Sequence, residues 1–447
     1  MTSGAPLGRR RIPKGLLVAS IVVVCGVVVG DVVALTVGND GRAPASSSTI
    51  VDAGSGQARA EAVSDLLAAR GAAVQAHDEA GFLATVDHSD AAFLARQRTL
   101  FTSLNVVPFS SFRYVLGAGS EGQDTAPGGR WSPDVTLKYQ IADYDPVPSS
   151  LRQHDTFVYS TGRWLLRDDG FDAASLTLAD AADTRAQPAV WDLAPISVVR
   201  GSHSLVIGTG DTQRLRALAV EADRDVADVT AVWGANWAQR AVLVVPGDLT
   251  QFELVTGERG DLSNVEAVQS TEQFQSDHGV AEAQTANRIT INPEPYAALS
   301  DIGRRVVITH ELAHVAVREV TSAQTPLWLV EGFADYVGFL HSGIPIPEIT
   351  TELRSDLLVH GIPTTLPPNR DFIAGGPQVA AAYEAGWMVC RTIVRAAGVN
   401  ALLQLYRTVG TSPGSADEAL SDGLAAIGMT TPGLTAQWRS ALSGLVG

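Results

Sequence analysis

The longest run of apolar residues in the chain covers residues 15–37 and contains one charge, at Asp31. As an α-helix rising 1.5 Å per residue, this run spans roughly 34 Å, more than the ~30 Å of a bilayer's hydrocarbon core. Residues 1–14 form a basic leader with three arginines and a lysine near its end. Because cytoplasmic flanks of membrane helices are rich in Lys and Arg, we expect a single-pass anchor in the cell membrane. The leader is then cytoplasmic and the bulk of the chain extracytoplasmic.

Two other fates of this segment compete with a retained anchor. Ala43-Pro44-Ala45 resembles a small-residue cleavage site, and Cys25 offers a thiol for lipidation. The run is longer than the apolar core of a usual signal peptide, and it continues past Cys25 after a valine of unsuitable size. The pattern therefore favours a retained anchor over cleavage, and cleavage over lipidation.

Residues 38–57 are rich in Gly, Ala and Ser and lack periodicity, which is typical of a flexible linker. Residues 58–170 first place apolar residues at helical spacing and then alternate apolar and polar residues, with a hairpin turn at Thr161-Gly162. Helices followed by a curled antiparallel sheet, ending in "GRWLLRDD", resemble the cone-shaped nuclear-transport-factor-like domains. The resemblance implies an α+β cone domain over residues 58–170.

A second linker is predicted over residues 171–192, and a second domain over residues 193–447. The sequence pattern in the first part of this second domain predicts a hairpin near Gly201-Ser202, a long amphipathic helix, and short strands. The last of these strands, "NRITINP", alternates in a way that predicts two isoleucines facing inward and two polar residues facing outward. These residues are Ile289 and Ile291, and Thr290 and Asn292.

Composition narrows the classes of function. The chain has 447 residues and a formal net charge of −16, so it lacks the basic excess that a nucleic-acid partner requires. Its two cysteines lie in different predicted elements, Cys25 in the apolar run and Cys390 in a late helix. Neither a disulfide framework nor a thiolate metal cluster is therefore expected.

Two histidines four residues apart are the strongest chemical feature. A helix is predicted to begin near Ser300 or Asp301, with an apolar stripe through Ile302, Val306, Ala313 and Val317. His310 falls on that stripe, and His314 follows one turn later, so both imidazoles project from one face. Such a pair can bind one zinc ion, and Glu311 between them is placed to act on a water that the metal activates.

A second helix supplies carboxylates. "PLWLVEGFADYV" places Glu331 seventeen residues after His314, with Pro326 ending the previous helix. A turn between the two helices brings Glu331 back as a third zinc ligand. Asp335 lies one turn beyond Glu331 and is predicted to accept the free N–H of His310, which fixes that imidazole's tautomer.

Together these residues resemble the gluzincin metallopeptidases, the clan of thermolysin and the zinc aminopeptidases. The resemblance rests on His310-Glu311-x-x-His314 followed by "WLVEGFADY". It implies a thermolysin-like zinc peptidase domain, a mixed sheet followed by a mostly helical subdomain. It also implies Zn²⁺ on both histidines and on Glu331, with Glu311 as general base and Asp335 as the clan's aspartate.

Two further features refine the resemblance. "AAYEAGW" resembles the Tyr-Glu-x-Gly segment of zinc aminopeptidases, which implies that the Tyr383 hydroxyl stabilises the oxyanion; His341 and His360 are rival donors. The Gly-x-Met-Glu-Asn string by which those enzymes hold a free amine is missing, which favours an endopeptidase. "NRITINP" is either a strand that pairs with substrate or an ordinary core strand.

We therefore expect a membrane-anchored extracytoplasmic zinc metallopeptidase that acts on a peptide or protein substrate. The alternative is a catalytically degenerate peptidase fold that serves as a surface binding or scaffolding protein. A regulatory protease with one envelope target is a third interpretation, and the sequence leaves the oligomeric state open.

Overall fold

A computed structural model describes residues 56–122, 129–171, 188–258, 262, 265–272, 286–373, 376 and 378–447. The predicted leader, the predicted anchor at residues 15–37 and nearly all of the first linker lie outside these residues. Within the described ranges, no helix is both long and apolar enough to cross a bilayer.

Residues 56–171, here called the N-terminal unit, contain three helices followed by six strands. The helices are α1 (Gly56–Gln75), α2 (Glu79–Leu83) and α3 (Ala91–Leu104). The strands are β1 (Phe109–Leu116), β2 (Arg130–Trp131), β3 (Val135–Ile141), β4 (Ser149–Gln153), β5 (Thr156–Ser160) and β6 (Arg163–Asp168).

The order of helices before strands agrees with the prediction, but the strands form two sheets instead of one curled sheet. Their orders are β1-β3-β4 and β2-β5-β6, all antiparallel. The predicted hairpin turn is present between β5 and β6. Thr161 and Gly162 both have positive φ, which a two-residue type I′ turn requires.

The interior of the N-terminal unit holds a connected group of buried polar side chains. Arg70 donates hydrogen bonds to Gln97 and, over 3.2 Å, to Thr85, and Gln97 donates to Asp169 over 2.5 Å. Asp155 is also buried, and its Oδ2 has no hydrogen-bond partner among the described residues. Burial raises the pKa of Asp155 to about 7, with Arg70 opposing the shift and Asp169 adding to it.

Residues 188–447, here called the C-terminal unit, begin with a mixed sheet and end in helices. The strands are β7 (Ser197–Arg200), β8 (Ser204–Gly208), β9 (Ala241–Val245), β10 (Ala267–Glu272) and β11 (Ala286–Ile291). The helices within and just after the sheet are α4 (Val190–Leu193), α5 (Thr212–Trp233), α6 (Leu249–Thr256), α7 (Pro293–Ala298) and α8 (Asp301–Val317). The later helices are α9 (Leu327–Phe339), α10 (Ile346–Ile349), α11 (Thr351–His360), α12 (Val379–Ala397), α13 (Val399–Gly410), α14 (Ala416–Ala426) and α15 (Thr431–Val446).

The sheet has the order β10-β11-β9-β8-β7, with β8, β9 and β11 parallel. The hairpin predicted near Gly201-Ser202 is β7–β8. At the other end β10 pairs antiparallel with β11 and is the edge strand of the described sheet. "NRITINP" therefore forms an interior strand, and the interpretation that it pairs with substrate is wrong.

Both faces of this sheet are covered. Val206, Leu243 and Ile289 pack against α5 and α8, whereas Leu205 and Val242 pack against the N-terminal unit. This two-sided cover explains why the parallel strands are almost continuously apolar. It also corrects the prediction that polar residues of β11 face outward: Thr290 and Asn292 are buried.

A buried ion pair ties the two units together. Arg288 on β11 donates two hydrogen bonds, of 2.6 and 2.8 Å, to Asp145 in the β3–β4 loop. Both side chains are almost fully enclosed. Trp191 on α4, within the predicted second linker, also packs against Phe109 and Tyr139 of the N-terminal unit.

Candidate metal centre

Helix α8 begins where the sequence predicts. The Ser300 hydroxyl caps it by accepting a 3.1 Å hydrogen bond from the Gly303 amide. Ile302, predicted to lie on the apolar stripe, is instead 48% exposed, so the buried stripe starts one turn later at Val306. From Val306 onward the helix is enclosed between the sheet and the later helices, which places His310 in the core.

Helix α9 carries Glu331 back to the two histidines. The Oε2 atom of Glu331 lies 3.4 Å from His310 Nε2 and 3.3 Å from His314 Nε2. The two Nε2 atoms are 2.9 Å apart. All three side chains are buried, and they form a group of potential metal ligands, as predicted.

The distances among these three atoms are close to those of zinc ligands. Zinc bonds of about 2.0–2.1 Å in tetrahedral geometry place ligand atoms roughly 3.3–3.4 Å apart. Both histidine–carboxylate distances match this value, and the 2.9 Å between the two Nε2 atoms is shorter. Glu331 Oε2 has no hydrogen-bond partner of normal geometry within the described residues, although it is buried. A buried carboxylate and two imidazole nitrogens directed at one point are the ligand set of a cation.

Asp335 contacts His310 at Nδ1, the ring nitrogen that is not directed at Glu331, as predicted. Its Oδ1 lies 2.8 Å from His310 Nδ1, and both groups are buried. This contact assigns the ring proton to Nδ1 and leaves the Nε2 lone pair for a metal.

The charges of the site favour a bound cation. Burial alone lowers the pKa of His310, but the carboxylates of Asp335 and Glu331, 2.8 and 3.4 Å from its ring nitrogens, outweigh burial and raise that pKa to about 10. Burial alone raises the pKa of Glu331. The two histidines have the larger and opposite effect, and together they lower that pKa to about 2. The carboxylates therefore hold positive charge on His310, either as a proton or as a metal ion that replaces the proton.

Glu311 lies beside this group without belonging to it. It is fully buried, and neither carboxyl oxygen has a hydrogen bond of normal geometry among the described residues. Burial raises its pKa to about 8, with His310 opposing the shift and Glu331 adding to it. The backbone amide of Gln269, on the edge strand β10, lies near enough to lower that pKa slightly. A carboxyl group with a pKa near neutrality suits general-base catalysis.

Tyr383 also reaches the site. Its ring lies 6.5 Å from that of His310, nearly parallel to it, and packs on Phe372. The rival residues are elsewhere: His360 is exposed and bonded to Asp356, and His341 is exposed beyond the end of α9. Of the three candidate oxyanion donors, Tyr383 alone is buried next to His310.

The crossing of α9 and α12 fixes the third ligand. Gly332, next to Glu331, packs against the backbone of Gly386 so closely that an added Cβ would lie 2.3 Å from its carbonyl oxygen. Two glycines at the crossing thus allow the helices to approach and bring Glu331 and Tyr383 to the same site.

The sequence leaves two features beside Glu311 unpredicted. One is the position of β10: "EAVQST" predicts a short strand there, but not an edge strand whose Gln269 amide lies beside Glu311. The other is Glu266, a buried carboxyl group whose pKa is raised to about 8 by burial and by the charge of Glu311. A glutamate at the start of a short strand carries no pattern that marks it as buried, so only the tertiary structure identifies it.

No family profile matches the chain, and no curated protein matches its sequence. Among solved structures, the chain is similar to a mutant M1 zinc metallopeptidase from Deinococcus radiodurans bound to a Tyr-Ser-Ala substrate. The identity is 13%, the similarity covers 75% of this chain and 69% of that chain, and the TM-score is 0.33.

Two structures described as a two-domain M1 zinc metallopeptidase mutant, bound to L-arginine and to L-tryptophan, are each 12% identical over the same shares of both chains. Their TM-scores are 0.32 and 0.31. Similarity at this level does not carry a function over to this chain, so the functional argument rests on its own side chains.

Proposed function

We propose that this protein is a zinc metallopeptidase that hydrolyses peptide bonds. The observation that carries the proposal is the convergence of His310, His314 and Glu331 on one buried point, with Glu311 adjacent to it and without a hydrogen bond of normal geometry to any described residue. An unpaired buried carboxyl group destabilises the fold, and at Glu331 a cation bound together with the two imidazoles would remove that cost.

In this mechanism His310, His314 and Glu331 would hold a zinc ion, and Asp335 keeps the proton of His310 on Nδ1. A bound zinc ion would supply Lewis acidity, which lowers the pKa of water and polarises a carbonyl group. Glu311 accepts the proton of the attacking water at its carboxylate and then delivers it to the leaving amine. The Tyr383 hydroxyl donates a hydrogen bond to the carbonyl oxygen as negative charge develops there.

Specificity for internal peptide bonds is the second part of the proposal. It rests on the missing Gly-x-Met-Glu-Asn string, which leaves the chain without that means of gripping a free amine. The third part is membrane attachment through residues 15–37, which rests on their length and apolarity and would place the metal centre outside the cytoplasm.

Replacement of Glu311 by glutamine tests the reaction. Glu311→Gln keeps the shape of the side chain but removes the proton acceptor, so the variant is expected to bind zinc and to lose hydrolysis at least 100-fold. Zinc content after dialysis and cleavage of an unstructured polypeptide are the two measurements. Glu61→Gln, on the exposed face of α1, is the matched control.

The outcomes separate the alternatives. Equal cleavage by wild type and Glu311→Gln excludes Glu311 as the base. A wild-type protein that holds zinc but cleaves no polypeptide contradicts the peptidase proposal and favours a degenerate fold with a binding role.

A further inference from the structure

A cavity of about 570 Å³ lies between the two units, next to the helix that carries the histidines. Its walls come from the β3–β4 loop of the N-terminal unit, the loop before β9, and the end of α8 with the 3₁₀ turn Arg318–Val320. Tyr144 and Trp237 contribute aromatic surface. The described contacts of the proposed reaction involve none of these residues.

The cavity adjoins Glu311 by two routes. Val315, which lines it, is one helical turn beyond Glu311, so both residues lie on the same side of α8. Asn287 also lines it and accepts a 3.0 Å hydrogen bond from the side chain of Gln269, whose backbone amide faces Glu311. Two residues of the cavity wall are thus linked to Glu311, one along α8 and one through Gln269.

The two aspartates in the cavity walls are neutralised by arginines. Asp145 is bound by Arg288, and Asp143 is paired with Arg200 over 3.1 Å. Arg240 stacks on Tyr144 and donates a hydrogen bond to the Asp143 carbonyl oxygen. Because neither of these partners is an anion, they leave the positive charge of Arg240 uncompensated.

Arg318 differs from Arg240 in having a buried donor without a partner among the described residues. No described residue forms an ion pair with it, and its Nε is buried without a hydrogen-bond partner. Its position at the end of α8 suits the helix dipole, but that interaction leaves the Nε–H unsatisfied. Glu319 is exposed and likewise lacks an ion pair in the described chain. The uncompensated charges of the cavity, Arg240 and Arg318 against Glu319, thus sum to about one positive charge in a chain of net charge −16.

We propose, resting on the peptidase function above, that this cavity binds the substrate chain and that Arg318 selects an acidic side chain there. Arg318 lies seven residues beyond Glu311, about 10 Å along the helix axis. An extended peptide advances about 3.3 Å per residue, so the selected residue is about three positions from the cleaved bond. The guanidinium group supplies paired N–H donors that match a carboxylate. Arg318 is a specificity-determining residue, remote from the reacting atoms.

The test uses the full chain with zinc and a series of fluorogenic peptides. One glutamate is moved through every position on both sides of the cleaved bond, and each peptide has a glutamine twin. We expect wild type to prefer glutamate about tenfold in kcat/KM at one position two to four residues from that bond. Arg318→Gln is expected to lose this preference, so that its kcat/KM values for the glutamate and glutamine peptides become equal. Arg318→Lys keeps part of it, and Arg439→Gln, on the exposed surface of α15, keeps all of it.

A binding measurement separates this proposal from the peptidase proposal. Glu311→Gln protein, with and without Arg318→Gln, is titrated by fluorescence anisotropy with each glutamate peptide of the series and with its glutamine twin. Cleavage without any acidic preference overturns the role of Arg318 and leaves the reaction standing. If no peptide is cleaved, the peptidase proposal fails, and equal binding of the two peptides then overturns the cavity proposal as well.

Discussion

The contact between Gly332 and Gly386 gives a sharp prediction, because it couples helix packing to the metal ligand. In Gly332→Ala the new Cβ would lie 2.3 Å from the Gly386 carbonyl oxygen, 2.4 Å from its carbon and 3.0 Å from the Trp387 nitrogen. All three are backbone atoms, so no side-chain rotation relieves the overlap. Helices α9 and α12 must move apart.

The size of this movement follows from the same distances. Real Cβ contacts are essentially never shorter than 3.0 Å, so the helices must separate by at least 0.7 Å near Gly332. Glu331 is the preceding residue, and ligand distances at a zinc site tolerate only about 0.2 Å. We expect zinc affinity to fall about 100-fold, the upper end of losses seen when a group that orients a ligand is removed. Overpacking should also lower the free energy of unfolding by about 1–3 kcal/mol.

Competition with a fluorescent chelator measures the zinc affinity, and thermal unfolding followed by circular dichroism measures stability. Gly444→Ala on α15 is the control, because a Cβ at Gly444 has no neighbour within 4 Å. It should keep wild-type zinc affinity and gain up to about 1 kcal/mol from helix propensity. A Gly332→Ala protein that binds zinc as tightly as wild type would refute the claim that this crossing positions Glu331.

Two further predictions concern buried carboxyl groups. Asp335→Asn should weaken zinc binding about 10–100-fold in the same chelator assay, because the amide no longer holds the His310 imidazole with a negative charge; unchanged affinity would contradict that role. Asp155→Asn should stabilise the N-terminal unit above pH 8. The folded-state pKa of Asp155, about 7 against an ordinary 3.8, means that wild type loses about 4 kcal/mol of stability as pH rises from 4 to 8. Unfolding measured at pH 5 and pH 8.5 checks this, with exposed Asp65→Asn as the control that keeps the wild-type pH dependence.

The parts of the site that the sequence predicts are those fixed over short distances. The spacing of His310 and His314 determines that both project from one helix face, and Pro326 determines that the helix carrying Glu331 is a new one. Asp335 follows from the same helical period. The sequence also predicts that a turn returns Glu331 to the histidines. The close crossing of α9 and α12 at Gly332 and Gly386, which fixes the position of Glu331, joins distant segments and is not predicted.

The remaining features depend on contacts between distant segments. Thr290 and Asn292 look like outward-facing residues until the N-terminal unit and the segment before β10 cover them. β11 looks like an edge strand until β10 pairs with it. Local periodicity does not encode which segment will cover a strand. For the same reason the sequence does not predict the cavity beside Arg318, whose walls come from distant segments.

The apolar surface that the two units share has a consequence for synthesis on the ribosome. The N-terminal unit emerges first, with Phe112, Leu137 and Tyr139 prepared for partners on β8 and β9. The chain then needs roughly 120 more residues, from residue 171 to the end of β11 at Ile291, before the whole sheet exists. At a synthesis rate of about 5–20 residues per second, this apolar surface stays uncovered for about 6–24 s. During that interval the nascent chain is a natural client for a holding chaperone.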